Sequence, residues 1–86
     1  QKWDGKWRLI FFDIAEFYRS QRDALRERLK LLNCLPLQRS VWISPFDCQK
    51  EINFLIRIFG LSNQEIKMAI AEKIDGEKFL KKQFRL

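Results

Sequence analysis

The pattern of apolar and polar residues is clearest in residues 7–13, a short and nearly continuous apolar run that ends in one carboxylate, Asp13. A run this short and this rich in aromatics predicts a central strand rather than a helix. Side chains of a strand alternate between two faces, which places Trp7, Leu9, Phe11 and Asp13 on one face and Arg8, Ile10 and Phe12 on the other. Both faces are largely apolar. Helices of this chain can cover one of them, and a second copy of the chain is the simplest cover for the other.

Two segments repeat apolar residues at helical spacing, and each ends in a residue that tolerates the left-handed conformation. The first carries Tyr18, Leu25, Leu29 and Leu32 and ends at Asn33. The second carries Cys48, Ile52, Leu55, Ile56 and Phe59 and ends at Gly60. The residues Ser44, Pro45, Phe46 and Asp47 predict the start of the second helix, with Ser44 as its cap and Pro45 at its first position.

Three further strands and a tail complete the pattern. Residues 35–38 predict an edge or irregular strand because Pro36 lacks an amide donor, and residues 41–43 predict a better one. Residues 65–73 alternate and predict a last core strand beside residues 7–13, with Ile66, Met68 and Ile70 on one side. The tail, residues 75–86, places Phe79, Leu80 and Phe84 among basic residues and predicts a short basic amphipathic helix that packs either on the core or on a partner.

The resulting order, strand, helix, strand, strand, helix, strand, predicts an α+β fold of the ferredoxin-like βαββαβ type. In this fold two helices lie on one face of an antiparallel sheet. We therefore predict one domain, residues 1–86, in which the other sheet face is used for dimerisation.

Composition and charge narrow the class of protein. Apolar residues make up 47% of the 86 residues, and no apolar run reaches the length that crosses a bilayer, so we expect a globular, cytoplasmic protein without a membrane partner. The net charge of +6 makes DNA or RNA a plausible partner. The chain has no His, which excludes Ser-His and Cys-His nucleophile pairs, and Cys34 and Cys48 are expected to be ordinary reduced thiols.

The candidate nucleic-acid-binding residues are basic. On the first helix they fall beside the leucine face, and one more lies after the second strand; the set is Arg19, Arg22, Arg26, Lys30 and Arg39. These residues predict a ridge that contacts phosphates. The alternative is a solvated face in which Asp23 and Glu27 pair with the cations.

Asp13 is the one candidate catalytic residue that its position supports. If a two-fold axis passed near the strand end, Asp13 of each copy would form a carboxylate pair suited to Mg²⁺ or Mn²⁺, with Glu16 as a further candidate ligand. The alternative is that Asp13 caps the following turn through backbone amides. The three Trp residues, Trp3, Trp7 and Trp42, are candidates either for stacking on bases or for a core or interface.

Four segments together resemble the central domain of the PaaX family of bacterial transcriptional repressors. They are Trp3-Asp4-Gly5-Lys6-Trp7-Arg8, Phe12-Asp13-Ile14 with Glu16, Arg22-Asp23-Ala24-Leu25-Arg26, and Leu37-Gln38-Arg39-Ser40-Val41-Trp42-Ile43-Ser44-Pro45. Residues 2–48 carry the resemblance, and the remainder agrees in element order. That domain is itself similar to the small CRISPR-associated protein of spacer acquisition, the Cas-two family. The lead before the first strand, from Trp3 to Trp7, favours kinship with PaaX.

The resemblance implies a ferredoxin-like fold and a two-fold dimer with stacked sheets. In PaaX-type proteins this domain is a dimerising core behind a winged-helix reader of DNA, which these 86 residues do not contain. In the Cas-two family a free-standing dimer bridges integrase subunits and DNA, and some members resemble metal-dependent nucleases that use the Asp at the end of the first strand.

We therefore predict a homodimerising, nucleic-acid-associated module of a PaaX-like transcriptional regulator, without enzymatic activity. The alternative is a Cas-two-type protein. Such a protein is either an endonuclease that uses Asp13 with Mg²⁺ or Mn²⁺, or the structural bridge of a spacer-acquisition complex, bound to an integrase subunit.

Overall fold

The computed structural model describes residues 2–15 and 18–86, and Glu16 therefore lies outside the described residues. Within them the chain forms a four-stranded antiparallel sheet and three helices. The elements are β1 (Trp7–Phe12), α1 (Arg19–Leu31), β2 (Leu35–Gln38), β3 (Val41–Ser44), α2 (Gln49–Phe59), β4 (Ile66–Ala71) and α3 (Glu77–Gln83). The order βαββαβ is as predicted, and α3 is the helix predicted for the tail.

The sheet has the strand order β2-β3-β1-β4, which is the order of a ferredoxin-like fold. β1 is central and pairs antiparallel with both neighbours, so that Ile10 lies opposite Trp42 on one side and Met68 on the other. The prediction that residues 65–73 pair with residues 7–13 is confirmed. β2 is an edge strand whose register shifts between Pro36 and Gln38, as the missing amide donor of Pro36 predicts.

The first sheet face is covered by α1 and α2. Ile10, Phe12 and Trp42 point from the sheet into the larger apolar cluster. The helices supply its other buried members, which include Leu25, Leu29, Ile52 and Leu55. The helical spacing of the apolar residues is what brings them to one side of each helix. The prediction of two helices on one face is confirmed.

The second sheet face is covered in part by α3. Trp7, Ile43 and Leu80 are buried there together, and Phe84 packs against them. The chain therefore supplies its own cover for the Trp7 end of this face, and the tail helix takes the first of its two predicted positions, on the core. Toward the other end of β1 the face stays open, and Phe11 is 38% exposed.

The N-terminal lead, residues 3–6, is held to the sheet by a group of hydrogen bonds around Arg8, which we call the Arg8 clasp. Gly5, at φ 84°, allows the chain to turn, and Lys6 N–H donates to Asp4 Oδ1 at 3.0 Å. Arg8 forms a bidentate ion pair with Asp4, in which Nη1 donates to Oδ1 at 2.9 Å and Nη2 donates to Oδ2 at 2.7 Å. Its Nη1 also donates to Pro45 O at 2.8 Å, which ties the lead to the end of β3.

The predicted start of α2 is wrong. Ser44 lies in β3 opposite Arg8, and α2 begins at Gln49 instead of Pro45. Between them, Phe46 N–H donates to Ser44 Oγ at 3.2 Å and Gln49 N–H donates to Asp47 Oδ1 at 3.0 Å. These two bonds make local turns, which the same residue types favour as strongly as helix caps.

Two other predicted features differ from the structure. α1 begins at Arg19, so Tyr18 is its exposed N-terminal cap and not part of the core. Ile70 was expected in the core but is exposed, because β4 is an edge strand and Ile70 lies level with Arg8, outside the apolar cluster under the helices.

Both left-handed helix stops are confirmed, with φ 63° at Asn33 and at Gly60. In the described part of the chain no helix combines the length and the hydrophobicity needed to cross a membrane.

Candidate nucleic-acid interface

The predicted basic ridge on α1 divides into exposed and enclosed members. Arg19 and Lys30 are exposed, whereas Arg22 and Arg26 are half-buried. Arg19 Nε lies 4.0 Å from Asp23 Oδ2, and Lys30 Nζ lies 3.2 Å from Glu27 Oε1. Exposed ion pairs of this kind contribute little to folding stability, about 0.2–1 kcal/mol. A phosphate group can therefore replace the carboxylate at low cost in free energy.

Arg26 is held by the fold itself. Its guanidinium lies over the ring of Phe12, 5.4 Å from the ring centroid, and its Nε donates to Arg39 O at 3.2 Å. Its Nη1 donates to Asp23 Oδ1 at 3.0 Å. These contacts fix α1 against the turn between β2 and β3. Arg26 therefore supplies a positioned positive charge whose guanidinium is already engaged by other groups.

Three of the five predicted basic residues meet around one hollow of about 340 Å³, between α1 and the β2–β3 turn. Its lining consists of Arg26, Lys30 and Arg39 together with Pro36, Gln38 and Trp42. Trp42 Nε1 donates to Arg39 O at 3.3 Å, the same carbonyl that Arg26 contacts, so this turn is held from two sides. The hollow is therefore lined by basic side chains next to a turn that two hydrogen bonds hold in place. Arg19 and Arg22 lie outside its lining.

The convergence on this hollow could be found in the sequence only in part. The helical spacing of Arg26 and Lys30 places them one turn apart on α1. Nothing local relates them to Arg39, which reaches them because the hairpin of β2 and β3 folds beside α1. Trp7 and Trp42 are buried, so the interpretation of these two residues as core is confirmed.

Asp13 lies just beyond the end of β1 and is exposed. Its backbone N–H donates to Glu65 O at 2.8 Å, which continues the pairing of β1 with β4. Among residues 2–15 and 18–86, no group of three or more Cys, Asp and Glu residues is placed to hold a metal ion. The proposed pairing of Asp13 with its copy across a two-fold axis lies outside a single chain, and the role of Asp13 stays a prediction.

Cys34 and Cys48 are free and buried, as predicted for reduced thiols. They lie against each other where β2 starts and α2 begins. The hydrogen bond to Cys48, together with burial, raises the pKa of the Cys34 thiol above its ordinary value. Cys34 is therefore protonated at neutral pH and is a poor nucleophile.

A larger hollow, of about 820 Å³, lies beside the two cysteines. Its lining carries charges of both signs, namely Lys30 and Arg85 on one hand and Asp47 and Glu51 on the other. A mixed lining does not favour a polyanion, so the smaller basic hollow is the better candidate for contact with phosphates.

Comparison with known proteins places this geometry in a family. The family model described as "PaaX protein central Cas2-like domain" matches residues 1–81. No curated protein matches the chain, and no solved structure matches it. The family match spans nearly all of the 86 residues and agrees with the ferredoxin-like sheet order. The chain therefore belongs to the family of PaaX central Cas2-like domains.

Proposed function

We propose that this chain is the homodimerising, nucleic-acid-associated module of a PaaX-like transcriptional regulator, and that it acts without enzymatic activity. The observation that carries the proposal is the second sheet face, which is largely apolar but only partly covered. α3 buries Trp7 and Ile43 at one end. The opposite end presents Phe11 and Val41 with partial exposure, and Leu9 lies between the two ends and packs against the covered cluster.

A second copy fits this open surface better than further cover from the same chain. A two-fold axis brings identical patches together, so an apolar patch on a sheet face meets its own complement. Sheets that stack face to face bury their inner side chains in this way. Ala69, opposite Leu9, and Leu37 carry no charge, and Lys67, opposite Phe11, places one exposed cation at the rim of the patch.

The dimer also doubles the basic hollow. One hollow offers Lys30 and Arg39 as exposed cations with Arg26 between them. Two copies related by an axis offer two such sites, and contacts with phosphate oxygens position a protein on a duplex without reading its sequence. The paired basic hollows support a module that binds the DNA backbone, while another part of the regulator recognises the DNA sequence.

We expect Phe11→Ser to abolish dimerisation. The wild-type chain should have twice its 10.5 kDa mass in light scattering coupled to size exclusion, and the variant should have the monomer mass. Phe79→Ser is the control, because Phe79 is also an exposed Phe, at 64% against 38% for Phe11, but lies on α3 and not on the sheet. A wild-type monomer at all concentrations, or a dimer that survives Phe11→Ser, would contradict the dimer interface.

We expect the double variant Lys30→Gln, Arg39→Gln to weaken binding of duplex DNA and to reduce its salt dependence. The slope of log affinity against log salt should fall in magnitude by about one for each phosphate contact that is lost. Fluorescence anisotropy between about 50 and 200 mM salt measures this slope. The double variant Lys50→Gln, Arg57→Gln, an equal change of charge at two exposed residues of α2, should leave it unchanged.

The same samples test the absence of catalysis. Labelled duplex DNA and single-stranded RNA are incubated with Mg²⁺ or Mn²⁺, and wild type is compared with Asp13→Asn. Cleavage that requires the metal and disappears in Asp13→Asn would overturn the non-enzymatic part of the proposal. Binding that has no salt dependence, or that the double variant leaves intact, would overturn the role of the hollow.

A further inference from the structure

A row of exposed apolar side chains crosses the outside of the helical layer. Leu31, at the end of α1, is 72% exposed, and Phe54 and Ile58 on α2 are 53% and 59% exposed. Leu31 and Phe54 line one hollow of about 370 Å³ between the helices. Ile58 follows Phe54 by four residues and so lies on the same side of α2, one turn further along. The three side chains make one continuous strip, which we call the helix-face strip.

The base of the hollow under this strip is part of the packed helical layer. Leu32 and Leu55 form the base of the hollow, and Leu55 belongs to the main core. At the far end of the layer, the side chain of Gln21 donates to Phe59 O and holds α1 against α2. Large apolar side chains exposed on a rigid surface are typical of sites that bind another protein.

The charges beside the strip are mainly positive. Arg28, Lys50 and Arg57 are exposed, and none of them has an ion-pair partner among the residues that the structure describes. Arg28 and Lys50 line the hollow itself, where Glu51 is the one opposing charge. The cations Arg26 and Lys30, by contrast, have their own carboxylates. The strip is thus an apolar groove with an unneutralised basic rim.

We propose that the helix-face strip binds an acidic amphipathic helix of a partner protein. An apolar helix face anchors in a groove between two helices through residues at spacings of three and four, and Leu31, Phe54 and Ile58 offer three adjacent contacts for it. Glu and Asp residues that flank the apolar face of such a helix would meet Arg28, Lys50 and Arg57. This surface lies on the helical side of the sheet, opposite the face proposed for the dimer, so both can be occupied together.

The test uses a designed peptide as the probe, a fluorescein-labelled helix of roughly four turns with leucines on one side and glutamates beside them. A peptide of the same sequence with lysine in place of each glutamate is its matched partner. We expect the acidic peptide to bind the wild-type chain at least tenfold more tightly than the basic one. We also expect Phe54→Ser to weaken binding of the acidic peptide by roughly tenfold, and Lys50→Glu to weaken it in low salt. Phe79→Ser, which removes an exposed aromatic ring from α3, should not change it.

Circular dichroism of each variant shows that the fold is intact, which is expected because all the replaced side chains are exposed. Equal binding of the acidic and basic peptides would overturn the proposal, and so would binding that is unaffected by Phe54→Ser. A fall from dimer mass to monomer mass in Phe54→Ser would also overturn it, since that result assigns the strip to a second copy of this chain.

Discussion

Replacing Trp7 with alanine is expected to lower the free energy of unfolding by about 3–5 kcal/mol, the range for large aromatic residues in a core. Trp7 is fully buried on the second sheet face. Its ring lies 4.8 Å from that of Trp3 and 6.0 Å from that of Phe84, and its Nε1 donates to Glu77 Oε1 at 2.7 Å. It therefore joins the N-terminal lead, β1 and α3, and its loss should detach both ends of the chain from the sheet.

Urea denaturation at one fixed protein concentration measures this effect, because the stability of a dimer depends on concentration. Trp7→Phe keeps most of the buried volume but loses the bond to Glu77, and it should cost about 1–2 kcal/mol. Phe79→Ala, on the exposed side of α3, should stay within about 0.5 kcal/mol of wild type. A loss for Trp7→Ala no larger than that of Phe79→Ala would show that α3 does not pack on the sheet as described.

Replacing Arg8 with methionine is expected to lower the free energy of unfolding by about 2–3 kcal/mol. Methionine retains the apolar stem, but Pro45 O and Lys6 O lose the donor that they share. A buried acceptor left without a partner costs about 1–3 kcal/mol. Thermal unfolding should shift down by roughly 10 °C or more, given a chain of this size. Arg28→Met, at an exposed arginine of α1, is the matched control and should change little.

The pH dependence of stability separates the ion pair from the rest of the clasp. The hydrogen bond from Arg8 holds the pKa of Asp4 at about 2, below its ordinary value of 3.8. Because the folded pKa is the lower one, the pair stabilises the fold above about pH 4, and this contribution is lost as pH falls toward 2. Asp4→Asn should therefore flatten the loss of stability between pH 4 and 2 while leaving the two carbonyl bonds of Arg8 in place. An unchanged acid profile in Asp4→Asn would mean that the pair contributes nothing in solution.

Much of the fold follows from local periodicity. The run at residues 7–13 and the alternation at residues 65–73 predict strands that the sheet does pair, and the spacing of Leu25, Leu29, Ile52 and Leu55 predicts the helical faces that cover it. The start of α2 could not be predicted in the same way. Ser44 and Pro45 are good helix-start residues in isolation, but pairing with β1 keeps Ser44 in the strand.

The candidate site shows the same division. Helical geometry places the cations of α1 near one another, yet it does not reveal that Arg26 would turn inward over Phe12 while Lys30 stays in solvent. Contact with Arg39 depends on how the β2–β3 hairpin folds against α1, which is a long-range arrangement. The buried role of Arg8 was likewise hidden, because an arginine in a strand is usually on an exposed edge.

By itself, the sequence determined the element order, the ferredoxin-like class and the family, since these depend on spacings of two and of three to four residues and on motifs contiguous in the chain. The tertiary structure decided which surfaces remain available. It packed α3 onto the Trp7 end of the second sheet face, left Phe11 partly open, gathered Arg26, Lys30 and Arg39 around one hollow, and exposed the helix-face strip. The reason is physical: burial is a property of contacts between residues far apart in sequence, and local pattern constrains only the side to which each residue points.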